Sequence, residues 1–554
     1  MSKLSQLSLI FLIYLSLSAE IKAQKLPLGS GRIFSWSGEC QAELKYDDIK
    51  GAGQNRPRWI RSLYLSGSLN VPGIPPIDLK FKLSSLNQSI RQYFNRLSLH
   101  VSKSWIDLYL GDTYPDYSRY TLKSIPIRGG SIDLYRGRFR LAMVLGQTKK
   151  AIDGTDNNVP SFRQTMHGFK VGYGKKNSSR INFNYVKFND DESSIDSSGT
   201  LKPVENALAG IDGVLKAFSG KFTIKAEISG SAYSRNLESA EIDISDKVPG
   251  LLKTFYTPRV SSQYGLAYYI NPNLDLGNTK AGFSYSSIDP AFVSLGLAYN
   301  RNDIRKFACS FDQRLINNKF FLSVKYFKSR DNLNNQKRST LNTNSGMANA
   351  NIVFSRSMTL NLGFRIYTQN NDDIEYDYKV DNANRSFIIG ITQRVKLLDL
   401  DHTITSNYSL GWYRDEKAAM SPGLNYDNHA FNLATNTRVN NSVNLITGWN
   451  RVQNFHHKGG NRSDRSAYSI GAIHRVFKSI LTTKFLISYN TGRERATAIA
   501  NSNRLSFSLR SNYRFKNTNA GIKIERKYYN EKTSPEEDYD EFVIYFSISQ
   551  TFGK

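Results

Sequence analysis

Three kinds of residue in this 554-residue chain could do chemistry: its seven histidines, a set of arginines on alternating segments, and one tyrosine-rich interruption. The histidines are His100, His167, His402, His429, His456, His457 and His474. His456 and His457 stand in a polar stretch, HHKGG, where imidazoles can ligate a metal, but an ordinary solvated loop accounts for them. His474, in AYSIGAIHRVF, shares a strand face with Tyr468, Ile470 and Ala472. A hydrolase working at a membrane interface would need a serine beside such a histidine; a structural histidine at the interface is the simpler reading. No HExxH, GxSxG or GxxxxGK[ST] occurs in a usable context, and no aspartate-rich loop has calcium-binding spacing. No catalytic residue, metal or cofactor is therefore expected, and the chain does not read as an enzyme.

The arginines are more informative. Arg365 lies in SMTLNLGFRIY, Arg394 in SFIIGITQR, and Arg504, Arg510 and Arg514 in RLSFSLRSNYRF. Each falls on the polar side of an alternation. Rings of Arg or Lys around a pore favour anions, so these five are candidate pore-lining residues; paired with nearby acids they would simply keep an interior hydrated. The interruption is GDTYPDYSRYTLKSIPIRGG, residues 111–130. Pro115 and Pro126 cannot donate ladder hydrogen bonds, and Gly129–Gly130 allows a sharp return. The stretch is too aromatic for a plain surface loop. It is expected to fold inward or cap a lumen, with Asp112, Asp116, Arg119 and Arg128 as constriction candidates; the alternative is a well-packed extracellular loop.

The elements that must position these residues are strands. From about residue 60, segments of ~8–12 residues alternate apolar and polar, and side chains on a strand point to opposite faces with period two. Met358, Leu360, Leu362, Phe364 and Ile366 oppose Thr359, Asn361, Gly363, Arg365 and Tyr367. AFVSLGLAYN, residues 291–300, reads the same way, with Val293, Leu295, Leu297 and Tyr299 on one face. The polar faces are rich in Gly, Ser, Asn and Arg, and the apolar faces tend to end in Tyr or Phe, as interface girdles do. No internal apolar run approaches ~18–20 residues, which excludes a helical membrane protein, and no fixed repeat suggests a solenoid or propeller. Connections fall into tight turns, at 103–104, 136–137 and 317–318, and long polar loops, at 189–207, 329–346, 369–384, 413–428, 453–466 and 529–540. Short turns on one side and long loops on the other describe a transmembrane barrel. The expected fold is all-β, a large antiparallel transmembrane β-barrel of roughly 20–26 strands over residues 59–554. The last segment, EFVIYFSISQTFGK, places Phe552 two residues short of a terminal aromatic.

The chain begins with Lys3, an apolar run from Leu7 to Ala19, and Ala23 before Gln24, the layout of a cleaved secretory signal. Residues 1–23 are assigned to it and 24–58 to a short lead-in, too short for the plug domain of an active-uptake receptor. The net charge is +27; losing Lys3, Lys22 and Glu20 removes two cations and one anion and leaves +26. Such a charge calls for a polyanionic partner. In an exported chain whose cations spread along strands, anionic lipopolysaccharide or an anion-attracting lumen fits, and nucleic acid does not. Cys309 alternates with Phe307 and Phe311 and should point outward; a bond to Cys40 is open to an oxidising compartment.

FNRLSLHVSKSWIDLYLGDTYPDYSRYTLKSIPIRGGSIDLYRGRFRLAMVLGQ (94–147), AGFSYSSIDPAFVSLGLAYNRNDIRKF (281–307) and FFLSVKYFKSRDNLNNQKRS (320–339) carry a resemblance to a known group. The chain resembles a family of large, mostly uncharacterised outer-membrane β-barrel proteins of Bacteroidota. The resemblance implies outer-membrane residence and a barrel, and supplies no activity. The expected function is a porin-like channel for passive passage of small, anionic solutes, its lumen partly occluded. The alternative is a structural or secretion-associated barrel that docks partner proteins. The expected partners are outer-membrane lipid and lipopolysaccharide, the barrel-insertion machinery, and other envelope proteins.

Overall fold

The computed structural model describes residues 26–28, 32–51, 58–71, 73–85, 96–154, 159–175, 177–196, 200–242, 255–299, 301–415, 425–457, 461–495, 499–531 and 538–553. The expected signal segment, 1–23, lies outside them. One 27-stranded antiparallel sheet accounts for nearly all of it. Strand Leu26–Leu28 is a short outlier that pairs only with the start of strand Arg32–Gly51. The remaining 26 strands form a closed barrel, because the last, Tyr539–Phe552, pairs along its length with Arg32–Gly51. Sequence alternation places the strands; closure satisfies the backbone groups that an open edge would leave unpaired.

Two expectations change here. Residues 24–58 are not a lead-in: Arg32–Gly51 is the first barrel strand, bonded to Trp59–Asn70 on one side and to the C-terminal strand on the other. Its pattern, GECQAELKYDD, carries too few apolar residues to announce a strand by alternation alone. Conversely, 291–300 is not a strand. The chain runs Thr279–Ile288, then a long excursion over 289–303, then Ile304–Leu315. After residue 263 the alternation suggests about 16 strands; fifteen are present from Ser262–Asp275 to Tyr539–Phe552.

The two rims differ as the loop lengths predict. Every connection on one rim is short: 71–76, 104–105, 137–138, 175–179, 218–221, 276–278, 316–319, 354–357, 398–399, 439–442, 477–480 and 516–517. Both described chain ends lie on that rim. At Leu398–Asp399 both central residues have positive φ, 50° and 60°, which matches the twist of flanking strands in a two-residue hairpin. The other rim carries the long connections, including 114–126, 150–162, 192–204, 235–261 and 289–303.

The two walls are chemically distinct. Leu145 and Ile181 are 65% and 57% exposed, and Phe139, Val171, Tyr173, Phe183 and Ile470 join them on the outward face. A closed cylinder with a large apolar exterior is built to sit in lipid. The inward positions are wet. One register row around the lumen reads Asn351, Asn361, Gly390, Asn407, Asn432 and Asn450. Cys309, opposite Phe283 and Tyr326, is exposed on the outer wall, and Cys40 is buried; the two are not bonded to each other.

Candidate functional site in the barrel lumen

The interruption at 111–130 divides more finely than its sequence suggests. Strand Ile106–Thr113 runs through Gly111 to Thr113, and strand Ile127–Arg136 resumes at Ile127. Only 114–126 leaves the sheet. Gly129–Gly130 is not a return loop but part of a strand, where a Cβ on Gly129 would lie 2.1 Å from the Leu145 carbonyl oxygen. Glycine is needed there for close approach rather than for a turn.

Segment 114–126 starts from the long-loop rim and folds into the lumen. Its ring and aliphatic side chains lie against the inner wall: Tyr117, Tyr120, Leu122 and Ile125 are buried together with Met166, Val186, Phe188 and Leu208 of the wall strands. Polar wall groups hold its backbone. The Glu227 carboxylate accepts the N–H groups of Arg119 and Tyr120, both at 2.9 Å. Lys170, buried, donates its ammonium to the Tyr117 carbonyl and lies 3.0 Å from Asp212 Oδ1. Thr121 Oγ1 donates to Asn184 Oδ1 at 2.6 Å. Buried polar groups so partnered fix one position of a segment, since leaving any of them unpaired costs more than the bond itself gains.

A second inward segment, 289–303, lies beside the first. Phe292 is fully buried, resting on Gly265 of strand Ser262–Asp275, where an added Cβ would come within 2.2 Å of the Phe292 nitrogen. Lys123 N–H donates to the Gly296 carbonyl at 2.8 Å, joining the two segments main chain to main chain, and Ser294 Oγ adds a side-chain bond to the Thr121 carbonyl at 3.0 Å. Asn206 serves both directions, donating to the Val293 carbonyl at 3.1 Å and accepting the Leu295 N–H at 2.9 Å. Together the segments cover one arc of the inner wall.

The four constriction candidates separate into two pairs. Asp112 and Arg128 face each other across adjacent strands and form a two-point ion pair, 2.9 and 3.1 Å, with Leu97 N–H donating to Asp112 at 2.8 Å. They clasp the neck of the segment and do not supply the free pore contacts expected of them. Asp116 and Arg119 are exposed on the lumen side of the segment. The backbones of Asp116 and Lys123 pair in an isolated antiparallel β-bridge, and the Arg119 guanidinium covers the Tyr269 ring at 4.2 Å.

Arg365, Arg394, Arg504, Arg510 and Arg514 all occupy inward positions and are exposed. None forms an ion pair among the described residues, so they are not neutralised by lumen acids. They do not form a ring either. Three share strand Ile499–Phe515, and Arg365 and Arg394 lie at different heights on neighbouring strands. Arg510 is instead flanked in register by Lys484 and Lys523, a cationic row that the arginines alone do not reveal.

A cleft of about 660 Å³ opens on the other flank of segment 114–126. Its lining includes Lys80, Arg96, His100 and Arg140 together with Tyr64 and Tyr114. His100 stacks on Tyr109 at 4.0 Å and 10° between planes. His457 lies 3.1 Å from Asp427; His474 is exposed on the outer wall, opposite Thr483.

Segment 289–303, its anchor Asn206, and Glu227 and Lys170, which anchor 114–126, escape a reading by alternation. A signal exists nonetheless. Strand Arg180–Asp191 puts Asn182, Asn184, Val186 and Phe188 on its inward face. Apolar residues on a wet wall require a cover, and Pro290 marks where the second cover begins.

No protein-family model and no curated relative matches the chain. Solved structures that resemble it include OccAB2 of Acinetobacter baumannii, 14% identical over 68% of this chain and 97% of that one, with a TM-score of 0.32. Others are OpdK of Pseudomonas aeruginosa with vanillate, 10% identical over 68% and 98% with a TM-score of 0.32, and the translocation pore of the P pilus usher PapC, 10% identical over 93% and 98% with a TM-score of 0.32. Scores of that size carry nothing about what passes through a barrel. The chain's own geometry establishes a membrane-sized cylinder, narrowed from one side by two segments of its own long-loop rim.

Proposed function

We propose that the protein is an outer-membrane channel for passive passage of small solutes, with preference for anions, whose bore is set by its two inward segments. The observation that carries this reading is the lumen-side core around Leu122 and Phe292. A segment that merely decorated a rim would not bury aromatic and aliphatic side chains inside the cylinder. The uncharged asparagine row provides a hydrated path, and the cations without carboxylate partners, Arg365, Arg504 and Arg510 among them, give it a sign. The likeness in sequence to barrels of Bacteroidota agrees with outer-membrane residence and adds no solute.

The test is planar-bilayer conductance of the wild type beside a variant in which 114–126 is replaced by a two-residue turn. The channel reading expects steady conductance from the wild type, a larger one from the variant, and a reversal potential on the anion side in a salt gradient. A silent wild type, or equal conductance of the two proteins, refutes it.

One observation favours a second reading. Twenty-six strands spaced about 4.8 Å apart and tilted about 40° enclose a ring roughly 50 Å across, backbone to backbone. Two segments on one arc leave much of such a lumen unfilled by the described residues. A barrel that docks a partner protein in that space would conduct when purified alone and close when the partner is restored.

A further inference from the structure

Several outward-facing arginines near the long-loop rim have a carboxylate on the neighbouring strand. Arg414 lies 2.8 Å from Asp427, Arg451 2.7 Å from Asp464, and Arg526 2.9 Å from Asp540, each aspartate on the next strand. The wall supplies a counter-ion from within. Other arginines of that face, Arg385 and Arg493 among them, make no such ion pair among the described residues, and at one place two cations without a carboxylate partner meet. Arg305, at the start of strand Ile304–Leu315, stands directly opposite Arg330, at the end of strand Phe320–Arg330. Both belong to the outward-facing set, as does Lys328, and all three are exposed. Like charges directly opposite on paired strands repel. None of the three forms an ion pair among the described residues. Asp372, which feels the charge of Arg330, is bonded to the Thr340 N–H at 2.6 Å and makes no ion pair with it.

What lies below the patch identifies its surroundings. Phe307, opposite Lys328, packs edge-on against Phe283 at 5.2 Å and faces Tyr326 at 6.3 Å. Tyr285 is register partner to Phe307, and Tyr326 donates its hydroxyl to Asn344 at 3.2 Å. Aromatic rings with polar tips mark the level where acyl chains give way to headgroups. Lys328 stands level with Phe307 and Tyr285 and one outward row above Phe283 and Tyr326; Arg305 and Arg330 stand one row higher, on the long-loop side. We propose that Arg305, Lys328 and Arg330 form a docking site for the phosphates of an anionic lipid in the leaflet at that rim. A phosphate between Arg305 and Arg330 converts a repelling pair into a bidentate clamp, since guanidinium matches phosphate geometry. Lys328 reaches the same group from below, and the rings beneath pack against the lipid's acyl region. This inference rests on the membrane-embedded reading of the barrel and is independent of whether the lumen conducts.

The test is lipid retention by the full-length protein, read by native mass spectrometry, with two probes: a bisphosphorylated glucosamine-based lipid and the same lipid with its phosphates removed. The wild type is expected to retain the bisphosphorylated form and to discriminate against the dephosphorylated one. The triple variant Arg305→Ser, Lys328→Ser, Arg330→Ser is expected to bind the phosphorylated lipid on the order of a hundredfold more weakly, from a factor of about five per cation near an anionic surface. Arg356→Ser, on the opposite rim, is expected to bind as the wild type does. In detergent without anionic lipid, Arg330→Ser is expected to melt no lower than the wild type, because the repelling pair is gone. Equal retention by wild type and triple variant overturns the proposal, as does equal retention of the two lipids. Failure of the wild type to insert into zwitterionic vesicles would instead strike the membrane reading itself.

Discussion

Gly265→Ala should lift an inward segment off the wall while leaving the barrel closed. The new Cβ would stand 2.2 Å from the Phe292 nitrogen and 2.5 Å from its Cα. Ordinary contact needs at least 3.4 Å, so the segment's main chain must retreat by more than 1 Å. A shift of that size breaks or stretches the Leu295–Asn206 bond at 2.9 Å and the Ser294–Thr121 bond at 3.0 Å. At about 0.5–1.5 kcal/mol each, these bonds contribute roughly 1–3 kcal/mol to docking. Partial exposure of the Phe292 ring adds about 1–2 kcal/mol, part of the ~1.5–3 kcal/mol for full burial of such a side chain. Docking thus weakens by about 2–5 kcal/mol, enough to move a well-docked segment into exchange with the open lumen. The ladder around Gly265 keeps its hydrogen bonds, so heat-resistant barrel mobility on gels should persist. The assay is single-channel recording together with limited proteolysis between residues 289 and 303. The variant should show flickering or raised conductance and new cleavage there. Gly230→Ala, on the adjacent strand, meets nothing within 4 Å and serves as the neutral control. If Gly265→Ala records and digests like Gly230→Ala, the packing of 289–303 against the inner wall is wrong.

Leu122→Ala removes a fully buried side chain from the same core and should weaken docking of 114–126 by about 2–5 kcal/mol, visible as cleavage within that segment and unchanged barrel circular dichroism. Arg510→Ser combined with Lys484→Ser deletes two of the three cations in one lumen row and should move the reversal potential toward zero; an unchanged potential would remove that row from the path. Asp303 ties loop 331–340 to the second inward segment, accepting from Leu333 N–H at 2.7 Å and Asn332 N–H at 3.1 Å and pairing with Lys337 at 2.5 Å. Burial pushes the Asp303 carboxyl up, but Lys337 and those N–H groups outweigh it and hold it below the usual range. That contribution is present above the ordinary carboxylate value of ~3.9 and is lost as pH falls through the lowered one; proteolysis of loop 331–340 should therefore quicken only in acid below about pH 4, and quickening near neutrality would contradict it. Cys309, exposed on the outer wall, should react with a membrane-soluble maleimide and, once labelled, be quenched by quenchers in the acyl phase, whereas buried Cys40 should resist labelling.

The class of fold was legible because a lipid-facing wall imposes period two on every strand, and residues such as Met358 through Tyr367 obey it without exception. The rim asymmetry was legible in loop length alone. Two things were hidden for opposite reasons. Arg32–Gly51 alternates poorly because Gly38, Cys40 and Asp48 thin its outward side, although its inward Glu43, Lys45 and Asp47 are bonded within the lumen as a wet wall requires. Residues 291–299 alternate well without being a strand, and the face that packs on the inner wall is not the one read as apolar: Phe292 and Ser294 are buried while Tyr299 is exposed. Periodicity reports that a segment has two unlike sides and is silent on which boundary each side meets. At the candidate site, the chemistry of 114–126 stood out by its prolines and tyrosines, but its anchors did not. Glu227, Lys170 and Asn184 lie far away in sequence, and only the register of the wall strands brings them beneath the segment.

The pairing of the first barrel strand with the last has a bearing on how the molecule is made. Tyr545 donates its hydroxyl to Glu43 at 2.7 Å across 502 positions of sequence, and Trp36 packs on Phe552 at 4.7 Å in the same zone. All other neighbouring barrel strands are consecutive and can zip as they emerge; this junction alone must wait for the whole polypeptide. Until then the growing sheet has two raw borders, each able to recruit a foreign chain. Assembly of this barrel therefore ends in a single ring-closing event, which cannot occur before strand Tyr539–Phe552 is available to meet Arg32–Gly51.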